Sequence, residues 1–362
     1  MEFRLGELFS GPGGLALGAT QASVTKGRIK FKVVHEWAND YDADTCVTYA
    51  NNISPDRPET AIHQDVRKLK INSLTPIDAF AYGFPCNDFS IVGEKKGFDG
   101  EFGPLYTYGV KVLNKFKPKF FVAENVGGIT SSNEGMAFKK ILDDLSSAGN
   151  GYRITAHLYK AEKYGVPQTR HRVVIVGIDQ TLNLEFKVPA PTTPDKPITA
   201  SQALKGIPKD ASNNEVTRQS ADVIERLGYI APGENIWQTK LPKRLQLNVK
   251  SAKLSQIYKR LHPDKPSYTI TGSGGGGTHG YHWKHPRALT NRERARIQTF
   301  PDDFEFFGSK ESVRKQIGMA VPVELSRVIF EAILKTFAKI PYNSVPNSIQ
   351  LDDSQMFLPV ED

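Results

Sequence analysis

The chain is poor in cysteine. Two thiols, Cys46 and Cys86, in 362 residues exclude a disulfide-stapled scaffold and any metal site built of cysteine alone, and no metal site is expected; they fit a reducing compartment. No run approaches the roughly 18 uncharged apolar residues of a membrane helix. The opening MEFRLGELFS lacks a basic region followed by an apolar stretch, so a soluble, unexported, cytoplasmic protein is expected, with no membrane partner. Internal repeats are absent. Hydrophobic side chains make up 39% and glycines number 30, which together lie in the globular range and exclude disorder for most of the chain. The length favours two domains. Forty-seven basic against 39 acidic side chains leave a net +8, which leans toward a polyanionic partner but also suits an ordinary basic enzyme.

The first 180 residues alternate short apolar strands with amphipathic helices. Strands are expected at Arg4–Phe9, Phe31–Trp37, Ile77–Tyr82, Lys119–Ala123 and Arg172–Ile178, and helices at Leu15–Ala22, Asp42–Tyr49 and Met136–Leu145. This order predicts an α/β fold with a mostly parallel sheet covered on both faces. Pro189, Pro191, Pro194 and Pro197 then break any regular element and mark a linker or domain edge. Between Lys240 and His262 seven basic side chains, among them Lys243, Arg244, Lys250, Lys253 and Arg260, occur without one acid. That is either a solvated basic surface or a contact for a polyanion. The run Gly272–Gly277, interrupted only by Ser273, is either a hinge or a backbone that must approach something closely. Helical periodicity returns at Arg292–Gln298, Val313–Ile317 and Glu324–Phe337, and the last twenty or so residues read as a loosely held acidic tail.

Several loops after these strands carry chemistry. Glu7-Leu8-Phe9-Ser10-Gly11-Pro12-Gly13-Gly14 supplies a tight strand-to-helix turn with free N–H groups, although it lacks the G-x-G-x-x-G dinucleotide spacing. Asp40, at the tip of the next strand, is placed for ribose hydroxyls and Tyr41 for an adenine ring, but Asp40 or Asp42 also serves as a helix cap, and Glu36 competes as the ribose carboxylate. Asp65 in Gln64-Asp65-Val66 is a third loop carboxylate. Cys86, in Gly83-Phe84-Pro85-Cys86-Asn87, sits in a stiffened loop after a strand, where a nucleophile is favoured over a packing thiol; mid-helix Cys46 reads as packing. Glu124 follows four apolar residues, so partial desolvation would suit it to give a proton near neutrality, unless it merely caps a helix. Arg170 and Arg172 alternate with Thr169 and His171, so on an extended chain both guanidinium groups share a side and suit an anionic or carbonyl oxygen.

The order ELFSGPGG, NDYD, QDV, GFPCNDFS, AENV, YGVPQTRHRVVIVG, RERARIQTFPD and QIGMAVP resembles the DNA (cytosine-5)-methyltransferase family of prokaryotic restriction-modification systems. The likeness covers residues 3–178 and about 258–335, and the PC dipeptide, ENV triplet and QxRxR motif are specific in combination. It implies a doubly wound, Rossmann-like S-adenosylmethionine-dependent methyltransferase sheet plus a smaller, irregular target-recognition domain. The implied division is 1–180 for catalysis and cofactor, 181–285 for target recognition with the glycine hinge, 286–340 returning to the catalytic domain, and 341–362 as tail.

The resemblance also implies roles. Cys86 adds to carbon 6 of a flipped-out cytosine, Glu124 holds ring nitrogen 3 and the exocyclic amine, and Arg172, with Arg170, stabilises the carbonyl oxygen. Phe9, Gly11, Gly14, Asp40, Tyr41, Asp65, Val66 and Leu105 hold S-adenosylmethionine. Lys95 and Lys96, in a glycine-rich loop over the DNA, join Lys243, Arg244, Lys250, Lys253 and Arg260 as duplex contacts. A monomer is implied, with nucleoid-associated localisation and a cognate restriction endonuclease acting independently. The chain departs from the family in Asn87, where Gln is usual, and in Met319, where Asn is usual. An RNA-modifying relative is disfavoured by the long unmatched basic region. A catalytically dead regulator is disfavoured by the intact Cys86, Glu124 and arginines, and a nicotinamide dehydrogenase by the glycine spacing.

Overall fold

A computed structural model of the chain describes residues 1–85, 105–129, 135–247, 254–272 and 277–349. In chain order the regular elements are β1 (Glu2–Leu8), α1 (Gly14–Gln21), β2 (Ser23–Lys26), β3 (Ile29–Asp40), α2 (Ala43–Ile53), β4 (Ala61–His63), β5 (Ala79–Gly83), α3 (Tyr106–Phe116), β6 (Phe120–Val126), α4 (Met136–Ser147) and β7 (Tyr152–Lys160). They continue with β8 (Gln168–Thr169), β9 (His171–Asp179), β10 (Val188–Pro189), α5 (Ala200–Ala203), α6 (Ala221–Tyr229), β11 (Ser267–Tyr268), α7 (Asn291–Ile297), α8 (Lys310–Met319), α9 (Val323–Ala338) and β12 (Ser344–Val345). Two compact units result: residues 1–160, 171–191 and 323–362 form one, and 161–170 with 192–322 form the other.

Among the described residues the first unit holds an eight-stranded sheet, ordered β2-β3-β1-β5-β6-β9-β7, with β4 paired to β3. The expected strands are present where the apolar runs placed them. The sheet is parallel from β4 through β3, β1 and β5 to β6, but β9 runs antiparallel to both β6 and β7, and β2 antiparallel to β3. Strands β5 and β6 are buried along nearly their whole length, as continuous apolar runs such as Phe120-Phe121-Val122-Ala123 require. On one face α3 and α4 supply Val112, Leu113, Phe138, Ile141, Leu142 and Leu145 to the core. On another, Phe330 and Phe337 of α9 meet Phe3 and Phe120 at ring distances of 4.9–6.2 Å.

Residues 344–349, within the expected tail, are more ordered than their composition implies. Ser344–Val345 pairs with Val188–Pro189, and Ile349 bridges Ala156 on the outermost strand, where the Leu158 N–H donates to Ser348 Oγ at 2.9 Å. The expected tail therefore begins no earlier than residue 350, outside the described residues. Those contacts cover an open sheet edge.

The second unit has short elements and two small cores. One gathers Leu227, Ile230, Ile236, Tyr258, Tyr281 and Ala288; the other gathers Ala200, Leu261, Ile270, Leu289 and Ile297. The glycine run meets protein backbone at its start. A side-chain carbon on Gly272 would lie 2.9 Å from the Lys315 carbonyl, and one on Gly318 would lie 2.0 Å from the Gly272 nitrogen. Close approach, between this segment and α8, explains glycine at 272; residues 273–276 lie outside the described residues.

Among the described residues no helix is long and apolar enough to cross a membrane. Helix α9 returns the chain to the first unit by crossing α1 closely. A carbon added at Gly18 would fall 2.4 Å from Ser326 Cβ and 2.5 Å from the Val323 carbonyl. Because backbone there cannot yield cheaply, Gly18→Ala is expected to lose about 1–3 kcal/mol of stability by overpacking. Urea unfolding checks this, and an unchanged midpoint would contradict the tight crossing.

Candidate active site

The β5–β6–β9 segment of the sheet brings two of the expected catalytic residues together. Glu124 lies opposite Gly83 on β5 and opposite Val174 on β9, while Arg172 lies opposite Val126. Arg172 is thus one diagonal step from Glu124 on the same face, within reach of a long side chain. Its Nε donates to Glu124 Oε1 at 2.8 Å, with both side chains nearly buried. A side-chain carbon at Gly83 would sit 3.3 Å from Glu124 Oε2, so glycine there leaves room for the carboxylate. Asn125 turns the other way and donates to the Phe84 carbonyl at 3.0 Å, which fixes the exit of β5 against β6. Cys86 lies outside the described residues, as do Lys95, Lys96, Lys250 and Lys253.

Arg170 is not part of that pair. The extended alternation breaks between Thr169 and His171, and the Arg170 guanidinium is buried, donating to the carbonyls of Ile270 at 3.0 Å and Gly318 at 2.9 Å. Its observed work is to hold backbone, which corrects the expectation of a catalytic side chain facing with Arg172.

At the carboxyl ends of β1 and β3 a second cluster forms. Asp40 ends β3, is buried, and accepts from the Gly11 N–H at 2.9 Å and the Asp42 N–H at 3.1 Å. Burial raises its pKa, and those backbone donors oppose the rise. Asp42 is the cap of α2, accepting from the Thr45 N–H, so the two carboxylates have separate duties; Glu36 instead lies 3.9 Å from Arg57. Phe9 adopts φ 53°, a left-handed conformation that an aromatic residue holds only when its surroundings impose it. A carbon on Gly11 would meet nothing within 4 Å, so there is open space over that turn. Gly14 begins α1, Tyr41 is exposed, and Val66 and Leu105 are buried at the edge of the main core. Asp65 is taken by Arg67, at 2.6 Å from Nη2, and this hydrogen bonding holds its carboxyl below the usual range. Among the described residues no cluster of His, Cys, Asp or Glu fits a metal ion.

The basic residues of the second unit divide. Arg260 is buried and donates to the carbonyls of Leu227 and Ile230 at 2.8 Å each, of His282 at 3.1 Å, and of Trp283. Four internal acceptors remove it from the expected DNA contacts. Arg244 is ion-paired to Glu225, with Asp222 at 3.9 Å, so α6 supplies the acids that the local sequence lacks. Lys243 is exposed in the same turn.

Sequence reasoning passed over one buried chain of groups. Glu7 is 1% exposed, accepts from Tyr49 Oη at 3.1 Å through Oε2, and leaves Oε1 without a partner. Tyr49 lies 3.1 Å from His35 Nδ1, and His35 Nε2 lies 2.7 Å from Thr60 Oγ1. Tyr49 also packs beneath the glycine turn, 3.2 Å from where a Gly13 side chain would begin. The one signal in the sequence is the Glu that opens the ELFSGPGG motif itself.

A family model described as C-5 cytosine-specific DNA methylase matches residues 3–335. The chain belongs to the C-5 cytosine-specific DNA methylases. The methylase is 60% identical over 353 residues to the Type II methyltransferase M.BbvI of Brevibacillus brevis, covering 95% of this chain and 94% of that protein. It is 41% identical over 346 residues to the Type II methyltransferase M.NgoFVII of Neisseria gonorrhoeae, covering 92% and 88%. Among solved structures it resembles the methyltransferase EhMeth of Entamoeba histolytica, with a TM-score of 0.65 at 16% identity over 93% of this chain and 99% of that one; this likeness is one of fold. The sheet, mixed at β9, is that of an S-adenosylmethionine-dependent methyltransferase.

The buried Glu7 gives the methylase a testable pH dependence. Burial pushes its carboxyl from 4.5 up to about 8. The folded chain therefore binds more protons than the unfolded chain between those values, and this contribution to stability falls as pH rises. Burial lowers His35, His157 and His282 to about 4 each, which acts in the opposite sense but only below about pH 6.5. From about pH 6.5 to 8 the histidines no longer oppose the Glu7 effect, worth on the order of 1–2 kcal/mol across that interval, and Asp40, also raised by burial, acts in the same sense. Glu7→Gln should flatten the decline in urea-derived stability there; a decline of the same slope would remove Glu7 as its source.

Proposed function

We propose that this methylase transfers a methyl group to carbon 5 of a cytosine within a specific duplex DNA sequence, through a transient bond between Cys86 and carbon 6. The observation that carries the reading is the Glu124–Arg172 pair at 2.8 Å, beside the end of the strand that leads to Cys86. Cytosine carbon 5 is a weak nucleophile. Addition of the Cys86 thiolate to carbon 6 moves electron density onto carbon 5, and later loss of the carbon 5 proton to a base expels the thiolate. In this reading Glu124 holds ring nitrogen 3 and the exocyclic amine, while Arg172 donates to the ring carbonyl oxygen where negative charge grows. Their mutual contact before substrate arrives sets both side chains on one face, so little reorganisation is left for the reaction. The target base must leave the duplex stack, at roughly a few kcal/mol.

The open space over Gly11 and the acceptor capacity remaining on Asp40 fit an adenosine-type group. When bound, S-adenosylmethionine supplies a methyl group on a sulfonium, the electrophile of the reaction. Asp40 would accept from its ribose hydroxyls and Asp65 from its adenine amine. Phe9, Tyr41, Val66 and Leu105 would line the ring, with the backbone at Gly11 and Gly14 against its polar end. Lys243 remains a candidate for the DNA backbone. The Type II names of the relatives support a role in restriction-modification; we read the methylase as a monomer that acts on DNA independently of any endonuclease.

Cys86→Ala is expected to abolish transfer of label from S-adenosylmethionine to duplex DNA, and retained turnover would sink the covalent mechanism. Glu124→Gln keeps the size of the side chain and should lower kcat by about 10²-fold or more while leaving S-adenosylmethionine affinity within twofold. Bisulfite sequencing of DNA from cells expressing the wild-type chain reads both the activity and the target.

A further inference from the structure

Among the described residues the second unit contains buried positive charge without a counter-ion, and its neighbours show how unusual that is. On α7, Arg292 is fully buried yet donates to the carbonyls of Ser212, Pro301 and Phe304 and to Ser212 Oγ, and Arg296 is paired with Asp302. Arg294, between them, is 3% exposed; its Nη2 donates to the His279 carbonyl, and its Nε has no acceptor. Arg314 approaches from α8, with Nη1 2.8 Å from His279 Nδ1, and its own buried Nε also lacks an acceptor. A guanidinium only donates, so His279 Nδ1 must accept, and the ring proton sits on Nε2 as a further donor.

The acids nearby do not neutralise this cluster. Glu293 is held by Arg287 at 2.7 Å through both oxygens, and Glu311 is exposed in the first turn of α8. Tyr268 and Tyr281 face Arg294 as neutral phenols, because burial raises both. Burial and the charge of Arg314 also press the Arg294 guanidinium down to about 10. Two like charges brought together out of water, each with an unmet donor, are unfavourable unless an anion completes them.

We propose that Arg294, Arg314 and His279 form a binding site for one phosphate of the DNA backbone, a role that rests on the reading of this chain as a DNA methylase. Paired guanidinium forks suit tetrahedral phosphate oxygens better than lysine does. Of the two reactants, only DNA carries phosphate. In the absence of DNA the cluster repels itself; a phosphodiester against the half-buried Arg314 and His279 offsets the repulsion.

The test compares wild type with Arg314→Gln. For the variant, the slope of log Kd for duplex DNA against log salt should become shallower by about 0.9, the value for one lost phosphate contact, and affinity near 0.1 M salt should fall roughly tenfold. S-adenosylmethionine affinity should be unchanged, and Tm without DNA should be equal or higher. An unchanged slope overturns the site, whether Tm holds or falls; a falling Tm with the wild-type slope assigns Arg314 to packing. If Arg314→Gln does not fold, Arg314→Lys keeps the charge without the fork, and should keep the slope while weakening duplex binding several-fold; wild-type affinity in that variant overturns the site. Inorganic phosphate that raises wild-type Tm as much as duplex does, with no change of slope in the variant, assigns the site to a free anion and overturns the DNA contact. A wild-type chain that fails to bind duplex at all overturns the functional reading too, and is seen without any variant.

Discussion

The candidate active site depends on β9 running against β6. Strand β6 is seven residues long, which at about 3.3 Å per residue is roughly 20 Å from end to end. Were β9 parallel, Arg172 near its start would lie at the far edge of the sheet, about that distance from Glu124. Antiparallel pairing puts the start of β9 at the carboxyl edge, where β5 and β6 both finish, so a guanidinium and a carboxylate from distant parts of the sequence meet at 2.8 Å. The parallel register of β5 then places Gly83 beside the same carboxylate. One reversal of strand direction therefore assembles a site that no single loop contains.

Three carboxyl groups near this edge illustrate how environment, not residue type, decides behaviour. Glu124 has a guanidinium neighbour, Asp40 has two backbone N–H donors, and Glu7 has one phenol and an unpartnered oxygen. The first two have a cation or backbone N–H donors against them, although burial still raises the pKa of Asp40. Glu7 has neither, and it behaves as a neutral acid inside the protein until the pH is well above that of an ordinary carboxylate. Its contact with Tyr49, which packs under the glycine turn, links the core to the turn that faces the proposed cofactor.

The strands that end in motifs were legible because each is a short, uninterrupted apolar run with a polar or glycine-bearing exit. Glu124, Arg172 and the tip residue Asp40 followed directly from that pattern. The sense of β9 was not legible, since periodicity is blind to strand direction. Arg170 was misjudged because alternation assumes an unbroken strand, and the strand breaks there. Arg260 departs from expectation for a different reason: a local count of charge cannot see carbonyls from Leu227 and Ile230, or the α6 acids beside Arg244, that arrive from elsewhere in the chain. The second unit is short of regular elements, so its arginines are fixed by tertiary contacts that leave little trace in spacing.

The crossing of α1 and α9 has a bearing on how the molecule comes into being. Ser326 donates to the Leu15 carbonyl across a separation of 311 residues, with the whole second unit inserted in between. A ribosome delivers the N-terminal helix long before its packing partner exists. The sheet can begin to pair early, but the face of α1 that receives Ser326 stays uncovered until α9 has emerged. Closure of the first unit is then a late, non-local event of the kind that folds slowly. Docking of α9 on α1 thus waits on residues that follow the second unit in the chain.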